Sequence, residues 1–136
     1  MRHLGIDYGA KRVGIALSDE GGTIAFPHAT FSNDGTLLEE VKRVCHEYDI
    51  KRVVIGDSRQ LNGEPNDINT AIERFVPKIE AIGGISVFRE PEFFTSRQAA
   101  RLQGETGMLD ASAAALILQS YLDRENGKQK AINIKQ

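Results

Sequence analysis

The sequence is short of the residues that mark several protein classes. It has a single cysteine, Cys45, and no tryptophan among its 136 residues. One cysteine excludes an internal disulfide, and the three histidines are too scattered to form a Cys/His zinc site. A chain without disulfides suits a reducing compartment, so we expect the protein in the cytoplasm.

The chain also lacks long apolar runs and an excess of one charge. No stretch is long enough to span a bilayer, and the N-terminus enters a strand-like run without the features of a signal peptide, so we expect a soluble protein with no membrane partner. Lysine and arginine number 17 against 19 acidic residues, which gives a net charge of -2. This balance argues against a protein that coats nucleic acid by charge alone, but it leaves open an enzyme that acts on nucleic acid.

The composition that remains is that of an ordinary globular domain. With 40% hydrophobic and 26% charged residues, the chain is long enough to bury its own core. We predict one domain over residues 1–125, followed by a polar, basic and frayed tail over residues 126–136.

The first eighteen residues combine two apolar runs with one carboxylate. Residues 3–8 and 12–18 predict a β-hairpin with apolar side chains alternating on one face. The opposite face carries Asp7 among glycine, alanine and serine residues. A charge inside a strand must be paired, exposed or functional, because an unpaired buried carboxylate is costly. The small residues around it either leave room for a substrate or admit a closely packed helix, and the pattern does not decide between the two.

Periodicity predicts an alternation of strands and helices in the rest of the chain. Apolar residues at spacings of three and four indicate helices from Leu37 and over residues 67–82, and short β-branched runs indicate strands. We expect Pro27 to place the third strand near a sheet edge, and Pro77 to kink or split its helix. The predicted strands after the hairpin cover residues 24–31, 51–57 and 85–88, a helix cap is expected at Ser32–Asp34, and Asp110 is expected as the N-cap of the last helix.

Carboxylates lie at three element ends that could meet. Asp7 is on the first strand, Glu90 and Glu92 follow a later strand, and Asp110 opens the last helix, where a run of alanines would let the helix approach its neighbour closely. Three such acids are what a metal-dependent phosphodiesterase needs to hold two Mg²⁺ or Mn²⁺ ions. A polar loop after the central strand offers further candidates for substrate contact, or an ordinary turn: Asp57, Ser58, Arg59 and Asn62.

The two ends of the chain carry motifs of a known family. Gly5-Ile6-Asp7-Tyr8-Gly9 with Lys11-Arg12-Val13-Gly14, and Asp110-Ala111 with the following Ala113-Ala114 and Leu116–Leu122, resemble the YqgF family, also called RuvX. The family comprises small bacterial proteins of the RNase H-like superfamily, described as Holliday junction resolvases and as nucleases that mature the 5′ end of 16S ribosomal RNA. The resemblance implies an α/β fold with a mixed five-stranded sheet, three antiparallel N-terminal strands and then parallel strands, flanked by helices.

The resemblance also implies roles for individual residues. Asp7 matches the family's first catalytic acid and Asp110 its last. Aligning the threonine pair of the family's Asp-Glu-Arg-Leu-Thr-Thr segment on Thr95-Ser96 places Glu92 on the middle acid. Pro91 and Phe93 stand where the family has aspartate and arginine, and Glu90 is a candidate replacement for the missing carboxylate.

The implied activity is hydrolysis of a phosphodiester in structured RNA or branched DNA by a monomer or homodimer. Asp7, Glu92 and Asp110 would be both the catalytic acids and the ligands of two Mg²⁺ or Mn²⁺ ions. The cations expected to follow the nucleic-acid backbone are Lys11, Arg12, Arg59, Arg97 and Arg101.

Two other functions remain open from the sequence. The strand-turn-strand with Asp7 also resembles the phosphate loop of actin-like ATPases and sugar kinases, but those proteins need a second domain for which 136 residues leave no space. A non-catalytic member of the RuvX family, which binds nucleic acid without cleaving it, would keep the fold while the middle motif drifts.

Overall fold

The computed structural model describes residues 1–57, 67–91 and 108–135. These ranges contain five strands and three helices. The strands are β1 (His3–Tyr8), β2 (Arg12–Ser18), β3 (Ala25–Ser32), β4 (Arg52–Asp57) and β5 (Ser86–Pro91). The helices are α1 (Leu37–Glu47), α2 (Asp67–Glu80) and α3 (Met108–Lys135).

The strands form one mixed sheet in the order β3-β2-β1-β4-β5. β1 pairs antiparallel with β2, and β2 antiparallel with β3, as a hairpin and its extension require. β1 pairs parallel with β4, and β4 parallel with β5, because α1 and α2 return the chain to the same end of the sheet. The predicted five-stranded mixed sheet is therefore confirmed.

The sheet has an apolar core on each face. Side chains of α1 and α2 pack with Leu4, Ile6 and Ile15 on one face, and α3 packs with Ala16 and Val54 on the other. Covered on both faces, the central strand β1 is buried from His3 to Asp7. No helix in the described ranges is long and apolar enough to cross a membrane.

β3 lies at one end of the sheet, as Pro27 predicted. The pairing of β2 with β3 shifts between Ile15 and Ala16, so that Ile15 lies opposite Ala29 and Ala16 opposite Pro27. A residue without an N–H group is tolerated at such an irregular edge, because the strand there needs fewer ladder hydrogen bonds.

Two helix predictions need correction. α1 begins at Leu37 with Thr36 as its N-cap residue, not within Ser32–Asp34, although the Asp34 carboxylate accepts hydrogen bonds from the Thr36 N–H and hydroxyl. Pro77 does not split α2, which runs without a break to Glu80, while the alternative of a kink at Pro77 stays a prediction. Proline removes one backbone donor, and here α2 ends three residues later, so little of the helix depends on that bond.

The bounds of β5 and α3 also differ from the predicted ones. β5 extends to Pro91, so Glu90 lies within a strand instead of after it. α3 begins at Met108, which places Asp110 in the first turn and not at the N-cap. α3 also continues through the predicted tail to Lys135, while the division into a domain and a tail stays a prediction.

Candidate functional site

Asp7 is a buried acid on β1, the central strand of the sheet. Asp7 is 2% exposed and lies near the end of β1, which is the strand between β2 and β4. In the antiparallel register Asp7 lies directly opposite Gly14. Directly opposite residues present their side chains on the same face, so the face toward which Gly14 is turned is also the face of Asp7.

Gly14 is turned toward the first turn of α3. A Cβ atom added at Gly14 would lie 1.8 Å from the carbonyl oxygen of Asp110 and 2.8 Å from the backbone nitrogen of Ala111. The helix backbone therefore rests on the strand at this point, and only glycine permits the approach. Because Asp7 is paired with Gly14, the backbone of Asp110 lies near Asp7, and the first and last predicted acids come from neighbouring positions on this face.

The close approach continues along α3. A Cβ atom at Gly5 would lie 2.8 Å from the Cβ of Leu118 and 2.9 Å from the carbonyl oxygen of Ala114. The small-residue face of the hairpin thus admits a helix, which is the packing alternative left open by the sequence. That packing also brings the first turn of α3, with Asp110, onto the sheet, while room for a substrate on this face stays a prediction.

One of the predicted nucleic-acid cations contacts Asp110, and a second directly precedes the first in the chain. Arg12, at the start of β2, donates from Nε to Asp110 Oδ2 at 2.8 Å. Its side chain is 47% exposed, whereas that of Asp110 is 15% exposed. Lys11 is exposed in the turn that joins β1 to β2. Both cations are thus on the surface, and Arg12 contacts one of the two acids.

Glu90 is on the same face but has other partners. Ile6 pairs with Ile55, and Gly56 with Glu90, so Asp7 and Glu90 share a row across the sheet with Gly56 between them. Two strand spacings put their backbones about 10 Å apart.

The carboxylate of Glu90, 1% exposed, contacts Arg124 at 2.5 Å and accepts a hydrogen bond from the Ser120 hydroxyl at 2.9 Å. These contacts favour a structural link to α3 over replacement of the missing acid.

Asp57 belongs to the opposite face of the sheet. Arg89 Nη2 donates to Asp57 Oδ1 and to Asn69 Oδ1, each at 2.6 Å, which ties the ends of β4 and β5 to α2. Asp57 therefore does not join Asp7 and Asp110, because successive residues of a strand point to alternate faces.

Sequence reasoning missed four partners: Ser120, Arg124, Asn69 and Arg89. The spacing of Ser120 and Arg124, four residues apart on one helix, shows that they share a face, but only the fold shows that Glu90 meets that face. For Asn69 the only signal was a polar residue within an apolar helix stripe.

Several predicted site residues lie outside the described residues: Arg59, Glu92, Arg97, Arg101, and the loop residues Ser58 and Asn62. Within residues 1–57, 67–91 and 108–135, no group of three or more His, Cys, Asp or Glu side chains is placed to hold a metal ion. The proposed set of three acids includes Glu92, so it stays a prediction.

The donor chemistry at Asp7 and Asp110 fits a hard divalent cation. Both side chains offer carboxylate oxygens, the ligands that Mg²⁺ and Mn²⁺ prefer, and no soft sulfur ligand belongs to the predicted set. Mg²⁺ in particular is commonly held by one or two carboxylates together with water and substrate phosphates. Two juxtaposed acids are therefore compatible with such an ion.

Sequence comparison identifies a family and its relatives. The model of the RuvX family, described as Holliday junction resolvase, matches residues 1–124. A protein of Chlorobaculum tepidum is 38% identical, over 90% of this chain and 93% of its own. Proteins of Syntrophus aciditrophicus and Ruminiclostridium cellulolyticum are 37% and 34% identical, over 90% and 96% of this chain and 89% and 100% of their own. All three carry the provisional name pre-16S rRNA nuclease.

Solved structures share the fold at low sequence identity. RuvC of Thermus thermophilus, in complex with a Holliday junction substrate, has a TM-score of 0.61 at 15% identity, over 93% of this chain and 97% of its own. The fowlpox virus resolvase, solved with Holliday junction DNA, has a TM-score of 0.55 at 15% identity, over 91% and 98%. The likeness confirms the RNase H-like fold predicted from the sequence.

Proposed function

The chain belongs to the RuvX family, and from this we propose that it is a metal-dependent endonuclease that hydrolyses phosphodiester bonds at the 5′ end of precursor 16S ribosomal RNA. The observation that carries the proposal is the contact of the α3 backbone with Gly14, which sets Asp110 beside Asp7. The name shared by the curated relatives supports this RNA as the substrate.

A Holliday junction is the second candidate substrate. The description of the family supports it, whereas the likeness to RuvC speaks to the fold alone. Resolution of a four-way junction requires two cuts related by symmetry, so this activity would favour a homodimer, while a monomer suffices for a single cut in RNA.

The three acids would act together on the phosphodiester. Asp7, Asp110 and Glu92 would hold one or two Mg²⁺ or Mn²⁺ ions, which supply charge stabilisation at the phosphate and activation of water. Burial of Asp7 within the sheet fixes its position before the substrate arrives, which lowers the cost of assembling the site.

The cations around the acids would bind the nucleic-acid backbone. Arg12 lies on the surface in contact with Asp110, and Lys11 is exposed one residue before it, so a phosphate approaching the acids would meet Arg12 and could reach Lys11. We include Arg59, Arg97 and Arg101 on the strength of the family resemblance. Contacts of this kind position the backbone without reading its sequence.

Cleavage by an Asp7→Asn variant tests the proposal. With Mn²⁺ or Mg²⁺, the wild type should cleave a precursor 16S fragment, and Asp7→Asn should lower the rate by more than about 100-fold, since even outer-shell changes at metal sites cost 10- to 100-fold. Gel assays should measure this rate on the precursor fragment and on a four-way junction side by side. A chelator should abolish cleavage of either substrate.

The control is Asp49→Asn, which removes the same charge from an exposed position after α1, where asparagine tolerates the positive φ of 52°. It should cleave as the wild type does, and circular dichroism should show that both variants fold. Undiminished cleavage by Asp7→Asn would refute the three-acid site. Binding without cleavage by both the wild type and Asp7→Asn would support the non-catalytic alternative instead.

A further inference from the structure

Arg12 contacts the very carboxylate that the proposed function needs as a metal ligand. Its Nε donates to Asp110 Oδ2 at 2.8 Å. Arg12 stands two residues before Gly14, so both residues project on the same face of β2, the face on which α3 lies. The guanidinium thus rests beside the first turn of α3, on the acid that Gly14 brings to Asp7.

The two members of this ion pair differ in freedom. Asp110 is held by a helix whose backbone touches the sheet, and its side chain is 15% exposed. The Arg12 side chain is 47% exposed and projects from the start of β2, directly after the exposed turn. Arg12 is the more exposed member, so its guanidinium can turn to solvent, and it is the one that can leave the pair when another cation compensates the charge of Asp110.

A divalent cation on Asp110 would compete with Arg12. The cation and the Arg12 guanidinium are both positive and would bind the same carboxylate, so they repel each other at this short distance. A guanidinium displaced from a carboxylate has a second good partner in a phosphate, whose oxygens match its planar donors. A nucleic-acid backbone at the two acids would supply that phosphate.

We propose that Arg12 is a positioning residue that exchanges partners: it pairs with Asp110 before a divalent cation binds, and with a backbone phosphate after the cation has taken Asp110. This inference rests on the proposed function, because it takes Asp110 as a metal ligand. Its consequence is that the cation and the nucleic acid strengthen each other's binding, since each favours the state in which Arg12 has left Asp110.

Calorimetric titration of Mn²⁺ into the protein without nucleic acid tests the first half of the exchange. Arg12→Ala should bind Mn²⁺ about three- to tenfold more tightly than the wild type, because Asp110 no longer has a competing partner. Lys11→Ala is the matched control, since it removes the same charge from the adjacent exposed position. It should change the dissociation constant by less than about twofold, because exposed charges are screened by salt.

Fluorescence anisotropy of a labelled precursor-rRNA fragment tests the second half. Measurements are made in the cold, over a period in which a gel shows no product. Mn²⁺ should raise the affinity of the wild type for the RNA by about fivefold or more. Arg12→Ala should lose this increase, whereas Lys11→Ala should bind more weakly overall and keep the increase.

Three results would overturn the exchange: equal tightening of Mn²⁺ binding by both variants, weaker Mn²⁺ binding by Arg12→Ala, or no Mn²⁺ binding by the wild type. The first result would indicate a general effect of removing positive charge, and the second would indicate that the ion pair of Arg12 with Asp110 is purely structural. Cleavage is a separate readout. A protein that cleaves neither substrate, yet shows the coupling that depends on Arg12, would refute the proposed nuclease and leave the exchange standing.

Discussion

Gly14 decides how near Asp110 can come to Asp7. Any side chain at this position would occupy the space of the Asp110 carbonyl group, since a Cβ atom would lie 1.8 Å from its oxygen and 2.2 Å from its carbon. Both atoms belong to the backbone of a helix that packs along the sheet, so neither can move aside without shifting the first turn of α3. The position of Asp110 relative to Asp7 therefore depends on Gly14, a residue without a side chain.

We predict that Gly14→Ala lowers the free energy of unfolding by about 3 kcal/mol, at the upper end of the cost of overpacking a core. It should also reduce cleavage, because relief of the clash moves Asp110 away from Asp7. Urea unfolding and the cleavage assay measure the two effects.

The matched control is Gly35→Ala, at an exposed position where no described heavy atom lies within 4 Å of the added Cβ. It should be neutral or slightly stabilising. If Gly14→Ala were as stable and as active as Gly35→Ala, the close contact of α3 with β2 would be refuted.

The sequence predicted Asp7 and its small-residue face, but could not choose between a substrate and a helix as the occupant. Glycines at Gly5 and Gly14 are compatible with either, because both need space at the backbone. The alanines behind Asp110 favoured a close helix, and the structure confirms that approach. The partnership of Arg12 with Asp110 was beyond the sequence, because 98 residues separate the two along the chain.

At the scale of elements, β5 and α3 are joined by a buried polar link. Glu90 is 1% exposed, and its carboxylate contacts both Ser120 and Arg124 on successive turns of α3. A buried carboxylate needs such partners, because leaving it unpaired costs several kcal/mol. Since Glu92 follows Glu90 by two residues, the same link lies close in the chain to the predicted middle acid.

We predict that Glu90→Gln destabilises the protein by about 2 kcal/mol, because the amide keeps the size of the carboxylate but cannot neutralise Arg124. The expected loss of unfolding free energy is small for a buried ion pair, since the Arg124 side chain is 43% exposed. Urea unfolding of Glu90→Gln, Arg124→Met and the double variant gives the coupling energy of the pair.

Glu47→Gln provides the comparison for the link. It weakens an ion pair of α1 with Arg43, at 3.8 Å, in which both side chains are more than half exposed. Such pairs contribute at most about 1 kcal/mol, so this change should be nearly neutral. Equal effects of Glu90→Gln and Glu47→Gln would contradict a stabilising role of the buried link.

The element bounds show where prediction from sequence ends. The alternation Ser86-Val87-Phe88 indicated a strand, but the charged Arg89 and Glu90 hid its continuation to Pro91. Both charges have partners on helices: the partly buried Arg89 contacts Asn69 of α2, and the buried Glu90 contacts α3. A strand that carries paired charges resembles a loop in sequence, because the residues that pair with those charges come from distant parts of the chain.

At the scale of the whole molecule, the part of the chain that the structure describes has two cores divided by one sheet. α1 and α2 cover one face, and α3 covers the face of Asp7. Alternation along the strands and the apolar stripes of the helices predicted the elements, and their order predicted the mixed sheet. Periodicity did not predict which helix covers which face of the sheet. An apolar stripe indicates only that a helix has an inner side.

Cys45 offers a probe of the stability of this whole arrangement. Its side chain packs in the core between α1 and the sheet, and burial raises the pKa of the thiol to about 11. At neutral pH the native thiol is therefore both enclosed and protonated, and only the thiolate reacts at a useful rate with alkylating reagents. Labelling of Cys45 should require the chain to open.

Mn²⁺ bound at Asp7 and Asp110, on the opposite face of the sheet, should protect Cys45 if the opening that exposes it is global. A ligand that binds only the folded state lowers the open population by the factor 1 + [L]/Kd, so Mn²⁺ at ten times its Kd should slow labelling about tenfold. Iodoacetamide labelling followed by mass spectrometry measures the rate. Asp7→Asn should lose the protection, although its Cys45 stays buried. Calorimetry should first establish that the wild type binds Mn²⁺. If Mn²⁺ then left the labelling rate of the wild type unchanged, α1 would open without disturbing the site across the sheet.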